Sequence, residues 1–377
     1  MKKDLHLNII SFDIPYPPNY GGVIDVFFKI KSLVDLGVKI HLHTFQYKGR
    51  TKSKELENIC KEVIYYRRNR YKNPFVDGKP YIVKTRKSGL LLENLKQNNY
   101  PILFEGLHTC NYLNHNDLSE RKKLVRMHNI ENVYYKHLAK IENNPIKKAF
   151  FNYEADNLKR YAEILNFADK IAAISQEDKK YLSVRFADKT FCLPVFHQNI
   201  ELKINNKVGS YALYHGNLAV GENNEAANYL IGKIFNDIDY KLIIAGSNPT
   251  KELIDKISQT KNVELKPNLS ETEMHDIIYN AQMHVLPTFQ NTGIKLKLIN
   301  VLYSGRHIIV NDKMIENTNL QDICVVTNNE DEMKNAVLQL INKDFNTENL
   351  NKRKEILLST FSNKENAKIL VSEIFDK

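Results

Sequence analysis

Short apolar runs alternate with longer amphipathic segments along the whole chain. In the first half the runs predict five strands, at residues 5–10, 38–45, 102–104, 124–127 and 170–174. Between the first two strands, residues 23–36 place Ile24, Phe27 and Leu33 on one face, which predicts a helix that ends at Gly37. Such strand–helix alternation is typical of a parallel sheet with helices on both faces.

The same alternation begins again after residue 210. Strands are predicted at 211–215, 241–245, 262–265, 284–286 and 307–310, and Ser270 with Glu273 has the spacing of a capping box. The polar stretch 201–210 is the predicted linker. The sequence therefore predicts an α/β protein with two doubly wound parallel-sheet domains, and a ligand cleft at the carboxyl ends of the facing sheets.

Composition restricts the class of protein. A chain of 377 residues with 42% hydrophobic residues is long enough for two separate cores. The four cysteines are far apart and form no CxxC pair, which argues for a reducing compartment and against a zinc site or disulfide framework. No apolar run approaches the length of a membrane span, and the N-terminus lacks a signal peptide. We therefore expect a cytoplasmic protein.

The net charge of +10 indicates either an anionic partner or a plain excess of surface lysine. Residues 65–81 interleave aromatic side chains with Arg67, Arg68, Arg70 and Lys72. This pattern favours an anionic membrane surface or a lipid-diphosphate acceptor, but it also fits a solvated strand edge. No nucleic-acid motif accompanies it, so no nucleic-acid partner is expected.

The strongest chemical signal lies in residues 287–305. Pro287 ends an apolar strand, and Thr292 with Gly293 opens an amphipathic helix that carries Lys295 and Lys297. A glycine at a helix N-terminus leaves backbone N–H groups available for an anion, and a nearby ammonium neutralises phosphate charge. Spacing alone also allows an ordinary surface helix with two solvated lysines.

This segment resembles the donor-binding signature of retaining GT-B glycosyltransferases of family four, the glycosyl transferases group 1. The match includes Pro287, Gly293, Lys297 and Gly305 with their spacing. The resemblance implies that Lys297 holds the donor diphosphate and that Gly293 lets backbone amides approach it. The family's ribose-binding glutamate is replaced by Asn300, which carries no charge.

Several shorter loops also resemble ligand-binding loops of this family. The family often has an arginine at the position of Asn217, and Lys295 is a candidate to replace its charge. The resemblance implies donor binding by the following loop residues: Gly21, Gly22, Gly216, Asn217, Gly246, Ser247 and Pro267.

Two further segments carry the resemblance into the first domain. Residues 126–131 resemble the family's histidine loop, which implies that His128 contacts the transferred sugar or orients the acceptor. A lone histidine, without this resemblance, is more often a structural residue. Residues 361–377 resemble the family's last helix, which crosses back to the N-terminal domain. The expected domains are therefore 1–203 completed by 361–377, and 208–360.

Together these observations predict a glycosyltransferase that moves a hexosyl unit from a nucleotide-diphosphate sugar to a glycan or lipid-linked acceptor, in surface polysaccharide synthesis. We expect catalysis by His128, Lys295 and Lys297, retention of configuration, and neither metal nor cofactor. Peripheral attachment to the inner face of the plasma membrane is a further expectation. Two alternatives remain open, a nucleotide-sugar epimerase and a non-catalytic GT-B-like binding protein; the uncharged Asn217 and Asn300 motivate the second.

Overall fold

The computed structural model describes residues 4–376, except 48, 74, 77, 206, 290–295 and 317. The chain forms two compact units. One contains the residues up to His197 together with the C-terminal segment from Phe361, and the other is Gln198–Thr360. Each unit contains one parallel sheet with helices, which confirms the predicted α/β class.

The first unit is built on a seven-stranded sheet. Its strands are β1 (His6–Ser11), β2 (Lys39–Gln46), β3 (Glu62–Arg67), β4 (Ile102–Glu105), β5 (Lys123–Arg126), β6 (Lys170–Ala173) and β7 (Thr190–Cys192). They lie in the order β3-β2-β1-β4-β5-β6-β7, and all pairs are parallel. The order reverses beside β1, and such a reversal opens a crevice at the carboxyl ends of the strands.

Eight α-helices surround this sheet in the described part of the first unit. They are α1 (Gly21–Asp35), α2 (Lys54–Ile59), α3 (Tyr81–Lys84), α4 (Gly89–Lys96), α5 (Glu131–Ile141), α6 (Pro145–Tyr161), α7 (Gln176–Phe186) and α15 (Asn363–Phe375). Short 3₁₀ turns lie at Leu107–Tyr112, Asn116–Leu118, Ala162–Phe167 and Ala187–Lys189. Ala367 and Leu370 of α15 are fully buried in the same apolar cluster as Val23 and Ile30 of α1. The C-terminal helix is therefore part of the first core.

The second unit is built on a six-stranded sheet. Its strands are β8 (Ala212–His215), β9 (Leu242–Gly246), β10 (Val263–Pro267), β11 (Met283–Leu286), β12 (His307–Val310) and β13 (Val325–Val326), in the order β10-β9-β8-β11-β12-β13. The helices are α8 (Gly221–Tyr229), α9 (Lys251–Ser258), α10 (Glu271–Asn280), α11 (Leu296–Ser304), α12 (Asp312–Ile315), α13 (Glu330–Leu340) and α14 (Thr347–Thr360). A π turn at Leu230–Ile234 continues α8, and a 3₁₀ turn lies at Gln321–Ile323. This sheet is also wholly parallel.

The ten predicted strands coincide with strands of the structure to within one or two residues. The capping box is also confirmed, because Ser270 Oγ accepts from the Glu273 N–H at 3.3 Å and Glu273 Oε2 accepts from the Ser270 N–H at 2.8 Å. Three strands were not predicted, namely β3, β7 and β13. They are short, or lie at a sheet edge where polar and apolar residues are mixed.

A network of buried charges lies inside the first unit. Lys29 Nζ donates to Asp25 at 3.0 Å and to Glu105 at 2.7 and 2.9 Å. Arg126 forms a two-pronged pair with Asp25 at 3.1 and 3.2 Å. These four side chains are at most 1% exposed, so each charge depends on the others for compensation.

The network lowers the pKa of both carboxyl groups. Burial alone would raise the pKa of Asp25 and Glu105. The charges of Arg126 and Lys29 lower the pKa of Asp25, and Lys29 with His128 lowers that of Glu105. Both carboxylates are therefore ionised at neutral pH, and the network holds two cations against two anions.

We expect Arg126→Met to destabilise the first unit by about 3–5 kcal/mol, because it leaves the buried Asp25 carboxylate with one fewer partner. The matched control is Arg185→Met, because Arg185 pairs with Glu163 where both side chains are about half exposed. That change should cost less than about 1 kcal/mol. Urea unfolding of both variants measures the difference, and equal midpoints would contradict the assigned role of the network.

Candidate functional site

Three loops of the second unit meet at the carboxyl edge of its sheet. Gly216 N–H donates to the Ala245 carbonyl at 3.0 Å, and Leu218 N–H donates to the Ser247 carbonyl at 2.8 Å. Asn268 N–H donates to the Gly246 carbonyl at 2.9 Å. The loops after β8, β9 and β10 are thus joined through backbone groups, as expected where neighbouring parallel strands end together.

Two of the predicted glycines are needed for this close approach. A Cβ on Gly246 would lie 1.7 Å from the carbonyl oxygen of Gly216, so no side chain fits at Gly246 without moving backbone. A Cβ on Gly216 would lie 3.0 Å from Cγ of Asn223. Steric exclusion by backbone therefore explains Gly246, whereas a side chain at Gly216 would need a small shift of the Asn223 side chain.

A pocket of about 280 Å³ opens beside these loops. Four of the residues predicted to bind the donor line it: Gly216, Gly246, Ser247 and Asn300. Asn268, in the segment 266–268 that also resembles a nucleoside-binding loop of the family, lines the pocket as well. The remaining lining residues were missed by the sequence analysis: Gln198, Asn199, His215, Leu269, Ser270, Glu271, Met274, His275, Ile278 and Ser304. Leu269, Ser270 and Glu271 follow a predicted strand or open a predicted helix, and that position is the signal that could have identified them.

Lys297 lies on the first turn of α11 as far as the structure describes that helix. Its Nζ donates to Asn223 Oδ1 at 2.7 Å and to the Tyr214 hydroxyl at 3.3 Å. The same ammonium lies 5.1 Å from the centre of the Tyr214 ring, within cation–π range. Lys297 is therefore held beside the loop after β8, where Gly216 begins that loop.

His215 is the last residue of β8 and faces the pocket. Burial and the neighbouring charge of Lys297 lower the pKa of His215 to about 3. The ring is therefore neutral at physiological pH. Its Nδ1 is buried and has no hydrogen-bond partner among the described residues.

The two asparagines at positions that the family usually charges make different contacts. Asn300 Oδ1 accepts from Asn199 Nδ2 at 2.8 Å at the pocket wall. Asn217 Oδ1 instead accepts from the Ala219 N–H at 3.1 Å and closes its own turn. Asn300 therefore faces the pocket, whereas the side chain of Asn217 shapes the loop.

The remaining predicted residues of the second unit lie around this pocket or outside the description. Pro267 ends β10 opposite Gly246, is exposed, and precedes the pocket residue Asn268. Thr292, Gly293 and Lys295 lie outside the described residues.

The predicted residues of the first unit lie near the carboxyl end of β1. Gly21 and Gly22 begin α1, and a Cβ on Gly22 would lie 2.7 Å from Cζ of Phe12. The Phe12 ring also packs edge-on against His128, with centres 5.2 Å apart. These glycines and His128 are therefore brought together around one aromatic ring.

His128 is attached to the buried charge network. Its Nε2 lies 2.8 Å from Glu105 Oε2, its Nδ1 lies 3.7 Å from Asp25 Oδ2, and it is 9% exposed. Ligand atoms of Asp25, Glu105 and His128 lie within 4.8 Å of one another, which is close enough for a metal ion. The same carboxylates already receive Lys29 and Arg126, however, so the local charge is balanced by protein cations.

No helix in the described part of the chain is long and apolar enough to cross a membrane.

Three known proteins are similar to this chain, one in sequence and two in structure. No family model matches the sequence. An uncharacterized 44.6 kDa protein in the cps region of Klebsiella pneumoniae is 27% identical over an alignment that covers 94% of each chain. TarM is similar in structure, with a TM-score of 0.70 and 12% identity over 100% of this chain and 99% of TarM. Sucrose-phosphate synthase from Thermosynechococcus elongatus has a TM-score of 0.67 and 14% identity over 97% of both chains.

A second TarM structure names its bound molecules. It is a mutant of the S. aureus protein in complex with Fondaparinux, alpha-GlcNAc-glycerol and UDP, and it matches 99% of both chains with a TM-score of 0.64 and 13% identity. At such identities the likeness establishes the architecture. With its two parallel sheets and these structural neighbours, the chain has the GT-B fold of glycosyltransferases.

Proposed function

We propose that the protein is a glycosyltransferase that uses a nucleotide-diphosphate sugar as donor. The observation that carries this proposal is the pocket of the second unit. Its glycine loops expose backbone at a sheet edge, and the ammonium of Lys297 lies beside one of those loops. An uncharged ribose or base and a charged diphosphate require this combination of a polar pocket and an adjacent cation.

The chemistry follows from where charge develops. Breaking the bond between the anomeric carbon and the diphosphate leaves negative charge on the leaving oxygen. A fixed ammonium and oriented backbone N–H groups stabilise that charge without reorganising during the reaction. Lys297 supplies the ammonium in this proposal, and Lys295 is a second candidate. The neutral His215 ring adds a hydrogen-bonding group without adding charge.

Nucleoside recognition is assigned to the pocket wall. Asn300 replaces the glutamate of the resembled signature, and its amide can hydrogen-bond a ribose hydroxyl through Nδ2 while Oδ1 accepts from Asn199. The bound UDP of the TarM complex supports a nucleotide in this kind of fold. Loss of the glutamate charge is expected to weaken ribose binding rather than to eliminate it.

The finer parts of the proposal concern the acceptor and its setting. We infer a glycan or lipid-linked acceptor, hexosyl transfer with retention and without a metal ion or cofactor, and assign His128 to the transferred sugar or the acceptor. The relative in the cps region supports a role in surface polysaccharide synthesis. A cytoplasmic location, with peripheral attachment to the membrane, belongs to the same proposal.

A second candidate function is a GT-B protein that binds a nucleotide or glycan without transfer. The observation in its favour is that Asn217 lies at a position where the resembled family often has arginine, and its side chain accepts a hydrogen bond within its own turn. This candidate predicts ligand binding with no released nucleotide diphosphate. An epimerase would instead alter the donor sugar in the absence of any acceptor.

We expect one member of a panel of UDP, GDP, ADP, CMP and dTDP to stabilise the protein selectively. A ligand at about 100 times its dissociation constant adds about 2.7 kcal/mol, which corresponds to a rise of about 5–10 °C in Tm. Thermal unfolding monitored for each nucleotide is the measurement. If all five leave the Tm unchanged, the assignment of the pocket to a nucleotide is wrong.

We expect Lys297→Ala to lower kcat by about 10²–10³-fold, because the ammonium stabilises charge that develops in the transition state. The control is Lys251→Ala, since Lys251 is exposed at the start of α9 and lies outside the pocket. Release of nucleotide diphosphate, measured at saturating donor and acceptor, gives kcat for both variants. Wild-type turnover in a correctly folded Lys297→Ala protein would remove Lys297 from the catalytic residues.

A further inference from the structure

A basic groove lies in the first unit, at the carboxyl ends of β2 and β3. It encloses about 870 Å³ and is lined by five cationic residues, Arg50, Arg67, Arg68, Arg70 and Lys87. Four tyrosines share the lining. We call this feature the arginine groove. It contains three of the four basic residues that the sequence analysis singled out, and Lys72 lies outside its lining.

The groove carries a net positive charge, because none of its lining residues is acidic. Arg50 is partly compensated from outside this lining, since its Nε lies 3.6 Å from Asp13 Oδ2. Among the described residues, the exposed side chains of Arg67, Arg70 and Lys87 form neither a hydrogen bond nor an ion pair, so they keep their donors for an external anion. Arginine donors match carboxylate and phosphate oxygens in bidentate geometry, so the groove is suited to an anionic ligand.

The loop that carries these cations is fixed in place. Arg68 Nε donates to Thr85 Oγ1 at 3.0 Å, and its guanidinium lies 4.1 Å from the centre of the Tyr47 ring. Asn69 N–H donates to the Thr85 carbonyl at 2.9 Å, and the Tyr81 hydroxyl donates to the Arg70 carbonyl at 2.7 Å. A surface held in this way loses less conformational entropy when a ligand binds.

An exposed aromatic ring completes the groove. Tyr71 is 94% exposed, and no ring contact or side-chain hydrogen bond holds it among the described residues. An apolar ring face beside arginines offers a surface on which the C–H faces of sugar rings can pack, whereas a phosphate ion has no apolar face to pack there. Tyr71 therefore favours a carbohydrate ligand over a simple anion.

A second groove of about 1020 Å³ shares Tyr47, Gly49 and Arg50 with the arginine groove. Its lining contains the cations Lys52 and Lys54 and also the acidic residues Asp13 and Glu55. Together the two grooves provide room for several linked sugar units. Because both grooves are concave, they suit an extended oligosaccharide better than the flat surface of a membrane.

We propose that the arginine groove binds an acidic glycan chain, whose carboxylate or phosphate groups pair with the arginines and whose sugar rings pack on Tyr71. The inference rests on the proposed function, because it makes this acidic chain the acceptor of the transferred sugar. It adds a substrate class that the fold alone does not specify. It also assigns a binding role to some of the basic residues behind the net charge of +10.

The test is direct binding, with transfer left out. We expect oligogalacturonate of about ten units to bind the protein in calorimetry, and a neutral malto-oligosaccharide of equal length to bind at least about tenfold more weakly. The triple variant Arg67→Gln, Arg70→Gln, Lys87→Gln should lose at least about tenfold in affinity for oligogalacturonate, because it removes the unpaired donors.

A control variant with the same net charge separates this site from general attraction to a basic protein. Lys61→Gln, Lys140→Gln, Lys147→Gln also removes three charges, and these three lysines are exposed and lie outside both grooves. It should bind oligogalacturonate like the wild type. Equal losses in the two variants would overturn the groove, because the binding would then follow net charge alone.

Two further arms distinguish the ligand. Vesicles of phosphatidylcholine with 30% phosphatidylglycerol test a membrane, and groove-dependent binding to these vesicles without binding to oligogalacturonate would overturn the proposal. UDP, GDP, ADP, CMP and dTDP are tested on the same variants. If the protein binds a nucleotide but not oligogalacturonate, the glycan inference is wrong and the proposed function stands. If it binds oligogalacturonate through the groove but binds no nucleotide, the proposed function is wrong and the groove stands as a glycan site.

We expect Tyr71→Ser to weaken oligogalacturonate binding by about five- to tenfold with no change in net charge, since it removes the aromatic face on which a sugar ring packs. Binding of inorganic pyrophosphate should be unaffected. If oligogalacturonate binds Tyr71→Ser and wild type equally, the ligand is recognised by charge only, and the carbohydrate assignment is wrong.

Discussion

The pairing of four charges inside the first unit fixes most of what surrounds them. Lys29 and Arg126 come from α1 and β5, and their partners Asp25 and Glu105 come from α1 and β4. Asp25 also accepts from the Phe196 N–H at 2.8 Å, which attaches the segment after β7. Separating any of these groups from its partners would carry a large desolvation penalty, so the segments that carry them are held in fixed positions relative to one another. The contact of His128 with Glu105 in turn fixes the orientation of the His128 ring.

The loops of the second unit are held in place by a different kind of interaction. Its loops are joined by backbone hydrogen bonds, and the absence of a side chain at Gly246 allows the backbone of Gly216 to approach closely. Charge enters at its edge through Lys297, whereas the buried His215 remains neutral. In the first unit, buried ion pairs therefore hold the loops in place, whereas in the second unit backbone hydrogen bonds do so.

The sequence was sufficient for the architecture because each buried parallel strand leaves a compact apolar run between turn residues. It failed at β3, β7 and β13, where short or edge strands carry mixed residues. Site prediction from the resemblance reached Gly216, Gly246, Ser247 and Asn300, which line one pocket. Contacts between distant segments were beyond it. The i,i+4 spacing of Asp25 and Lys29 is visible in the sequence. Nothing in the local pattern indicates that Asn199 contacts Asn300, or that Arg126 contacts Asp25, because those pairings depend on tertiary packing.

The return of the C-terminal helix to the first unit has a consequence for synthesis. The second unit is one continuous segment, so it can complete its core while the ribosome is still working. The first unit cannot, because Ala367 and Leu370 fill apolar space beside α1 and are made only after the whole second unit. Until then the α1 face lacks its cover and is open to premature association with other chains. Removal of the helix Asn363–Phe375 would therefore expose the α1 face and increase the nascent protein's need for chaperones.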